Sequence, residues 1–483
     1  MADSLKHKIL SGVFWQGLCN IGSKGLNFVF SIILARLLAP EDFGSVAILM
    51  IFIAIAEVFV DSGFSMALIQ KKDADDIDCS SVFYINILVA IVLYFVFFAV
   101  APWVAEFYRN PKLTECFRWL ALGTVIRSLS LVQQTLLSKR MLFHFNFRIV
   151  LCALIVSGTA GITMAYCGFG VWSLIVQQLS NAAIMAVLLW FFVHWRPLPV
   201  FAWGRIKSLF HFGSKLLATC LLDTVCNNLF SMLVGRLFNL SVLAYYERGR
   251  HIPWIGMNII NSTISSVIFP AFAEVQDDRD RMRLMAQKSL RITMFFVFPA
   301  MGLLAVLAVP LVKVLLTEKW LPSVIFLQLW CLISLMCPLH SLNLQVIIAC
   351  GRSDTMLFLE IIKKVQTIAV LLLTWPYGVV AMVWGMVFNS VFCLIENAWP
   401  NRKLIQYSLE RQCMDLLPLG LGAAIACIPV MFLAFFVKDA PLFHLVAGGG
   451  LYVVFYFGGL GLARRIPPEI QTFLPALLRK LSV

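Results

Sequence analysis

Five consecutive residues near the middle of the chain, Glu247-Arg248-Gly249-Arg250-His251, stand inside otherwise apolar sequence. A guanidinium withdrawn from bulk water can hold a phosphate or carboxylate through charge-assisted hydrogen bonds. Glu247 precedes Arg250 by three positions, so on a helix it is placed to pair with it. At about 100° per residue, Glu247, Arg250 and His251 fall within about 60° of a stripe formed by Asn258, Asn261 and Ser265, whereas Arg248 lies about 100° away. Gly249 and Pro253 loosen a helix here, because Pro removes a donor and clashes with the carbonyl one turn back. The pattern predicts the outer third of a membrane helix, with Arg250 toward a cavity and Arg248 bracing another helix or a headgroup. The competing expectation is a surface loop with an inert pair, since a span starting at Ile252 would still have about 23 residues.

Other stretches carry polar stripes at helical spacing. The first holds Gln16, Asn20, Lys24, Asn27 and Ser31; another holds Arg127, Ser130, Gln134 and Ser138; a third holds Lys215, Thr219, Asp223 and Asn227. Neutral members can simply bond neighbouring helices. An ionised Lys or Arg in mid-span costs roughly 2.5–3.5 kcal/mol on the mildest scale, so Lys24 and Arg127 are expected to face a cavity. Arg248, Arg250, Asn20, Asn27, Gln134, Asn258 and Asn261 complete the candidate substrate-binding set. Glu57 and Asp61 are four apart on one face and with Asp223 are the candidates for ion coupling; paired carboxylates can hold a proton near neutrality, and a bridge to a cation on another helix is the plainer expectation. Glu360 and Lys364 are spaced for an ion pair. There is no GxxxxGK, no glycine-rich dinucleotide loop and no HExxH; the 13 Cys contain no CxxC. These absences predict no metal, no cofactor and no catalytic residues.

These residues need elements that can carry them through lipid. The chain has 483 residues, 61% hydrophobic and 13% charged, far from the composition of soluble domains. It therefore reads as an all-α integral membrane protein with about 14 spans. Expected spans lie near 12–38, 44–69, 79–104, 113–138, 147–167, 170–194, 211–237, 241–274, 289–316, 322–350, 355–376, 378–400, 414–437 and 442–463. The net charge of +13 collects in alternate loops, which argues for topology and headgroups rather than nucleic acid. The loops between carry little charge, so both termini are expected in the cytoplasm. Weak self-similarity appears at shifts of about 200 to 211 residues: Asn27, Phe30, Ser31 and Arg36 fall on Asn227, Phe230, Ser231 and Arg236. The expected organisation is two six-helix lobes around a central cavity, at 1–200 and 201–410. Two extra helices follow at 411–463, then an amphipathic tail at 464–483. "HWRPLPVFAWGRIKSLFHF" joins the lobes as a basic, aromatic interfacial segment. Paired repeats with a site between them are the plan of many secondary transporters.

"ARLLAPEDFGSVAI", "VDSGFSMALIQKK", "LAYYERGRHIPW" and "SSVIFPAFAEVQDD" together resemble the polysaccharide-transporter family of the MOP flippase superfamily. Within it they resemble the Wzx-type branch that includes the WzxC and TuaB exporters, over about residues 8–410. The resemblance implies two lobes around a V-shaped, often cationic cavity. It also implies export of undecaprenyl-diphosphate-linked repeat units across the bacterial inner membrane by alternating access, for exopolysaccharide, capsule or O-antigen. Implied partners are that polyprenyl-diphosphate-linked oligosaccharide, membrane lipids and the polysaccharide polymerase and export machinery. A multidrug or small-cation antiporter of the same superfamily is the alternative, and a membrane-embedded polymerase or transferase is third. Cations in mid-span argue against the second, and the lack of a long outer loop argues against the third.

Overall fold

The computed structural model of the chain describes residues 2–71, 73–263, 268–275, 278–436 and 440–463, with 465, 467, 468 and 470 beyond. Ser265 and most of the tail at 464–483 lie outside the described residues, as do the side chains of Gln16, Asn20 and Lys215. Every regular element described is helical. Two compact units are present, Met1–Ala244 and Tyr245–Val483.

The first unit contains α1 (Ala2–Leu37), α2 (Pro40–Asp61), α3 (Phe64–Gln70), α4 (Asp76–Phe107), α5 (Leu113–Ser128), α6 (Leu131–Lys139), α7 (Phe143–Tyr166), α8 (Val171–Phe192) and α9 (Trp203–Leu237). Helix ends follow local chemistry. Pro40 opens α2 with Glu41 and Asp42 in its first turn, and the Asp42 carboxylate accepts from the Ala39 N–H at 3.2 Å. Asp75 and Asp78 cap α4 reciprocally. Helix α7 packs on α1 and α8, α4 packs on α5, and α2 packs on α9. At Gly44 the approach is so close that a Cβ would lie 1.8 Å from the Leu240 carbonyl oxygen. The join expected at the interface is non-helical from residue 193 to 202 and then continues as the first turns of α9. Ser80 and Ser81 hydroxyls at the start of α4 accept from the Leu198 and Ala202 N–H groups at 2.9 and 3.0 Å. A core of Phe64, Val82, Phe83, Val132, Ile149, Leu189 and Trp195 lies behind this junction.

The second unit holds most of α10 (Leu240–Thr263), then α11 (Phe269–Glu274), α12 (Arg279–Val306), α13 (Ala308–Leu315), α14 (Ser323–Ala349), α15 (Ser353–Thr374), α16 (Val379–Leu404), α17 (Leu409–Phe436) and α18 (Pro441–Leu462). Helix α14 packs on α12 and α16, α15 on α16, and α17 on α12 and α18. Trp320, Tyr246, Tyr407, Tyr452 and Tyr456 are fully buried here.

Among the described residues, eleven helices are long and apolar enough to cross a membrane, or twelve if the α5–α6 pair, bent by 43°, forms one span. The expected fourteen include two more, and both exist as helices of span length: α10 with 24 residues and α15 with 22. They fall outside the count because Glu247, Arg248 and Arg250, and on α15 Asp354, Glu360, Lys363 and Lys364, make them too polar by composition. Large apolar side chains such as Phe95, Trp103, Phe191, Phe432 and Leu462 stay exposed along the helices that do qualify. Exposed apolar surface on this scale is what a lipid solvent requires.

Candidate functional site

In the first unit, α2, α3, α5 and α6 line an open cavity of about 280 Å³, with Glu57, Asp61, Ser65, Thr124, Arg127 and Gln134 among the lining residues. The break between α5 and α6 brings Arg127 and Gln134 to its rim. Arg127 occupies the last turn of α5, and its carbonyl accepts from the Ser130 N–H at 3.0 Å as the chain turns. Its guanidinium donates to the Glu57 carboxylate as an ion pair. Both partners stay wet, with side chains 58% and 36% exposed. Glu57 thus bridges to a cation on another helix, the plainer of the two sequence expectations. Asp61 follows one turn later and accepts from the Ser65 N–H at 3.2 Å and from its hydroxyl, to which Thr135 also donates at 3.1 Å. Two carboxyl groups and one guanidinium line this space. An anion arriving at Arg127 meets the Glu57 carboxylate already on one nitrogen of the guanidinium and competes with it.

The other candidates of this unit lie outside that cavity lining. Lys24 is half-buried on α1, with no ion-pair partner among the described residues. Asn27 on α1 and Asp223 on α9 are exposed, and Asp223 is engaged in an interaction of its own.

Residues 247–251 are helical, within the unbroken α10. Glu247 and Arg250 pair at 3.1 Å, one turn apart, with both side chains 26% exposed. The Arg250 guanidinium lies 5.7 Å from the Trp330 ring and 5.9 Å from that of Tyr246. Arg248, on the other side of the helix, lies 5.4 Å from the Trp320 ring. Aromatic faces attract a desolvated cation, so rings carry part of what water would. Further along α10, Asn258 donates to the Trp254 carbonyl of its own helix at 2.9 Å. Asn261 accepts from Ser341 on α14 at 2.8 Å.

Several polar groups escaped the sequence reading. Glu360 forms its ion pair with Lys363 rather than with the Lys364 that its spacing suggested; on α15 the residue three positions on is the one within reach, and Lys364 has an interaction of its own. Gln366 donates to Glu396 on α16. His340 on α14 sits 3.1 Å from both Ser390 and Asn397 of α16. Asn343, Asn401 and Gln412 form a buried amide cluster with contacts of 2.7 to 3.0 Å. Asp415 accepts from Arg291 and from the Tyr407 hydroxyl. Ser390, Asn397 and Asn401 lie at steps of seven and four, and that spacing was the available signal. At the other unit's helix ends, Asp75 and Asp78 both meet Arg205, and Asp78 also meets Lys71. The Asp78 N–H and then Arg205 pull the Asp75 carboxyl down to about 2.

A family model described as polysaccharide biosynthesis protein matches residues 33–325. The chain belongs to that family. The match spans the Glu57–Arg127 cavity and all of α10. This polysaccharide biosynthesis family member is 25% identical over 335 residues to the lipopolysaccharide biosynthesis protein WzxC of Escherichia coli (strain K12), covering 69% of this chain and 68% of that one. Its fold is similar to that of the lipid II flippase MurJ in an inward closed conformation, with a TM-score of 0.73 at 14% identity over 94% of this chain and all of the other. It also resembles an inward-facing multidrug resistance MATE family transporter of the MOP superfamily, with a TM-score of 0.60 at 15% identity, covering 82% and 98% of the two chains. One fold therefore serves a lipid flippase and a drug transporter, and the fold by itself does not select the cargo.

Proposed function

We propose that this family member is a transporter, not an enzyme, that flips undecaprenyl-diphosphate-linked oligosaccharide repeat units across the bacterial inner membrane. Family membership and the similarity to WzxC support a polysaccharide cargo. The observation that carries the mechanism is Arg127 held by a displaceable, half-wet Glu57 at the rim of a cavity. A diphosphate cannot cross hydrocarbon unaided; a guanidinium replaces part of its water with charge-assisted bonds. In this reading Glu57 occupies Arg127 in the empty carrier. The diphosphate competes with Glu57 for the guanidinium, and Glu57, with Asp61 beside it, is the carboxylate pair offered for coupling to an ion gradient. Lys24, Arg250 and Arg248 are offered as further anion contacts, Arg250 where cargo competes with Glu247 for it, with Asn20, Asn27, Gln134, Asn258 and Asn261 offered to sugar hydroxyls and Asp223 a further coupling carboxylate. Rocking of the lobes 1–200 and 201–410 then exposes the site to either side, with both termini cytoplasmic and the polyprenyl tail left in lipid.

The test is flux of a lipid-linked oligosaccharide in proteoliposomes. Arg127→Ala and Lys24→Ala should each stop flux while membrane levels of protein hold, and Arg127→Lys should retain part of it, because charge matters more than fork geometry in a wet cavity. Wild-type flux of organic cations without flux of lipid-linked sugar would favour the antiporter alternative instead.

A further inference from the structure

The last turns of α16 and the first of α17 line a second, open cavity of about 580 Å³, outside the site described above. Arg402 and Arg411 line it, with Glu410, Gln406 and Ser408. Arg411 donates to the Gln406 carbonyl at 3.2 Å, which leaves most of its fork free. Arg402 has no ion-pair partner among the described residues. The amino-terminal end of the 28-residue α17 opens into the same space and adds its own partial positive charge.

Each arginine ends an exposed apolar stripe. On α16 the stripe is Phe388, Phe392, Ile395 and Trp399, and the next step at that spacing is Arg402. On α17 it runs back from Leu421 through Leu417 and Met414 to Arg411. Steps of three and four keep each set on one helix face. Two long apolar tracks thus converge on a pocket with two cations and one carboxylate, a net charge of one positive unit.

We propose that this pocket is a resident site for an anionic phosphoglyceride, with the phosphate between Arg402 and Arg411 and one acyl chain on each stripe. A single phosphodiester matches the net charge, and two stripes match two chains. Glu410 would repel a diphosphate but accepts hydrogen bonds from headgroup hydroxyls, which selects a glycerol headgroup over a bare phosphate. The inference rests on the membrane reading above and not on the cargo.

The probe is phosphatidylglycerol, compared with phosphatidylcholine by native mass spectrometry of the full-length protein from equimolar mixed micelles. Wild type should retain phosphatidylglycerol preferentially. Arg402→Ala and Arg411→Ala should each weaken retention roughly tenfold, the loss of one charge-assisted contact, with thermal unfolding showing that the variants remain folded. Competition on wild type needs no variant. Equal retention of the two lipids overturns the proposal. So does displacement of phosphatidylglycerol by equimolar undecaprenyl diphosphate, which would make the pocket an entry point for cargo. Flux of lipid-linked oligosaccharide in the same preparation reports separately on the cargo reading.

Discussion

Gly249 and Gly256 lie seven residues apart on α10, and Ala at each should move stability in opposite directions. A Cβ at Gly249 would meet Phe326 Cβ at 2.6 Å, the Leu327 N at 2.7 Å and the Ser323 O at 2.8 Å. Two of these atoms are backbone and the third is a Cβ, so no rotamer change relieves them; α10 and α14 must separate by several tenths of an ångström. Forced separation of packed elements costs about 1–3 kcal/mol. A Cβ at Gly256 meets only Met301 Cε at 3.8 Å, an ordinary contact with a flexible end. Both substitutions gain up to about 1 kcal/mol from helix propensity. That gain is common to the two sites, so the difference between them isolates the clash at about 1–3 kcal/mol. Gly249→Ala should melt below wild type in detergent, and Gly256→Ala at or above it. The displaced Gly249 variant should also disturb the Arg250–Trp330 stacking and quench or release Trp330 fluorescence. Gly249→Ala as stable as Gly256→Ala would refute the close α10–α14 contact and return residues 247–251 to the surface-loop expectation.

Three other outcomes follow from the same geometry. Glu57→Gln should barely change stability, since a pair this exposed is worth at most about 1 kcal/mol, yet it should tighten diphosphate-lipid binding by up to about fivefold; weaker binding in this variant would mean that Glu57 contacts cargo and does not compete with it. Asp75→Ala should speed hydrogen exchange at the Asp78 amide. Because the Asp78 N–H and Arg205 lower the Asp75 carboxyl to about 2 in the fold, below its usual value of about 3.9, its contribution is complete at neutral pH, declines as the pH falls below about 3.9 and is lost through about 2, so wild type and variant should converge below that. Reporter fusions at Phe169 and Tyr377 should report outside, and those at Arg279 and Arg402 inside; any mismatch breaks the loop assignment.

What the sequence disclosed depended on whether a contact is local. Glu247 and Arg250 are one turn apart, and a helical wheel is enough to pair them. The stripe of Arg127 and Gln134 was readable for the same reason, but its partner Glu57 is 70 residues away, and only packing of α2 against α5 brings it there. The Glu360 expectation failed between two neighbours, Lys363 and Lys364, that propensity rules barely separate. The amide cluster of Asn343, Asn401 and Gln412 draws on three helices, and each side chain alone looks like an ordinary polar residue near a helix end. The pocket of Arg402 and Arg411 is split across a turn, so neither helix announces it.

The shortfall between twelve and fourteen spans has the same origin. Hydropathy counts charges singly, at roughly 2.5–3.5 kcal/mol for each one at the centre of a span. On that scale α10 and α15 look unable to cross. Yet each contains an ion pair closed within one turn, Glu247–Arg250 on α10 and Glu360–Lys363 on α15. A pair that is already formed presents a dipole rather than two ions; Arg248 lies against an indole, Asp354 stands in the first turn of α15, and Lys364 has an interaction of its own. Fusions at Arg279 and Tyr377 test the two helices separately. If α10 fails to cross, every later loop changes sides, and Arg279 reports outside. If only α15 fails, Arg279 stays inside and Tyr377 joins it. In the first case the basic loops after α10, and in the second those after α15, would face the side opposite to the one that the charge bias of the other loops predicts. Two independent features, paired charge inside the helices and cationic loops beyond them, therefore favour crossing by both.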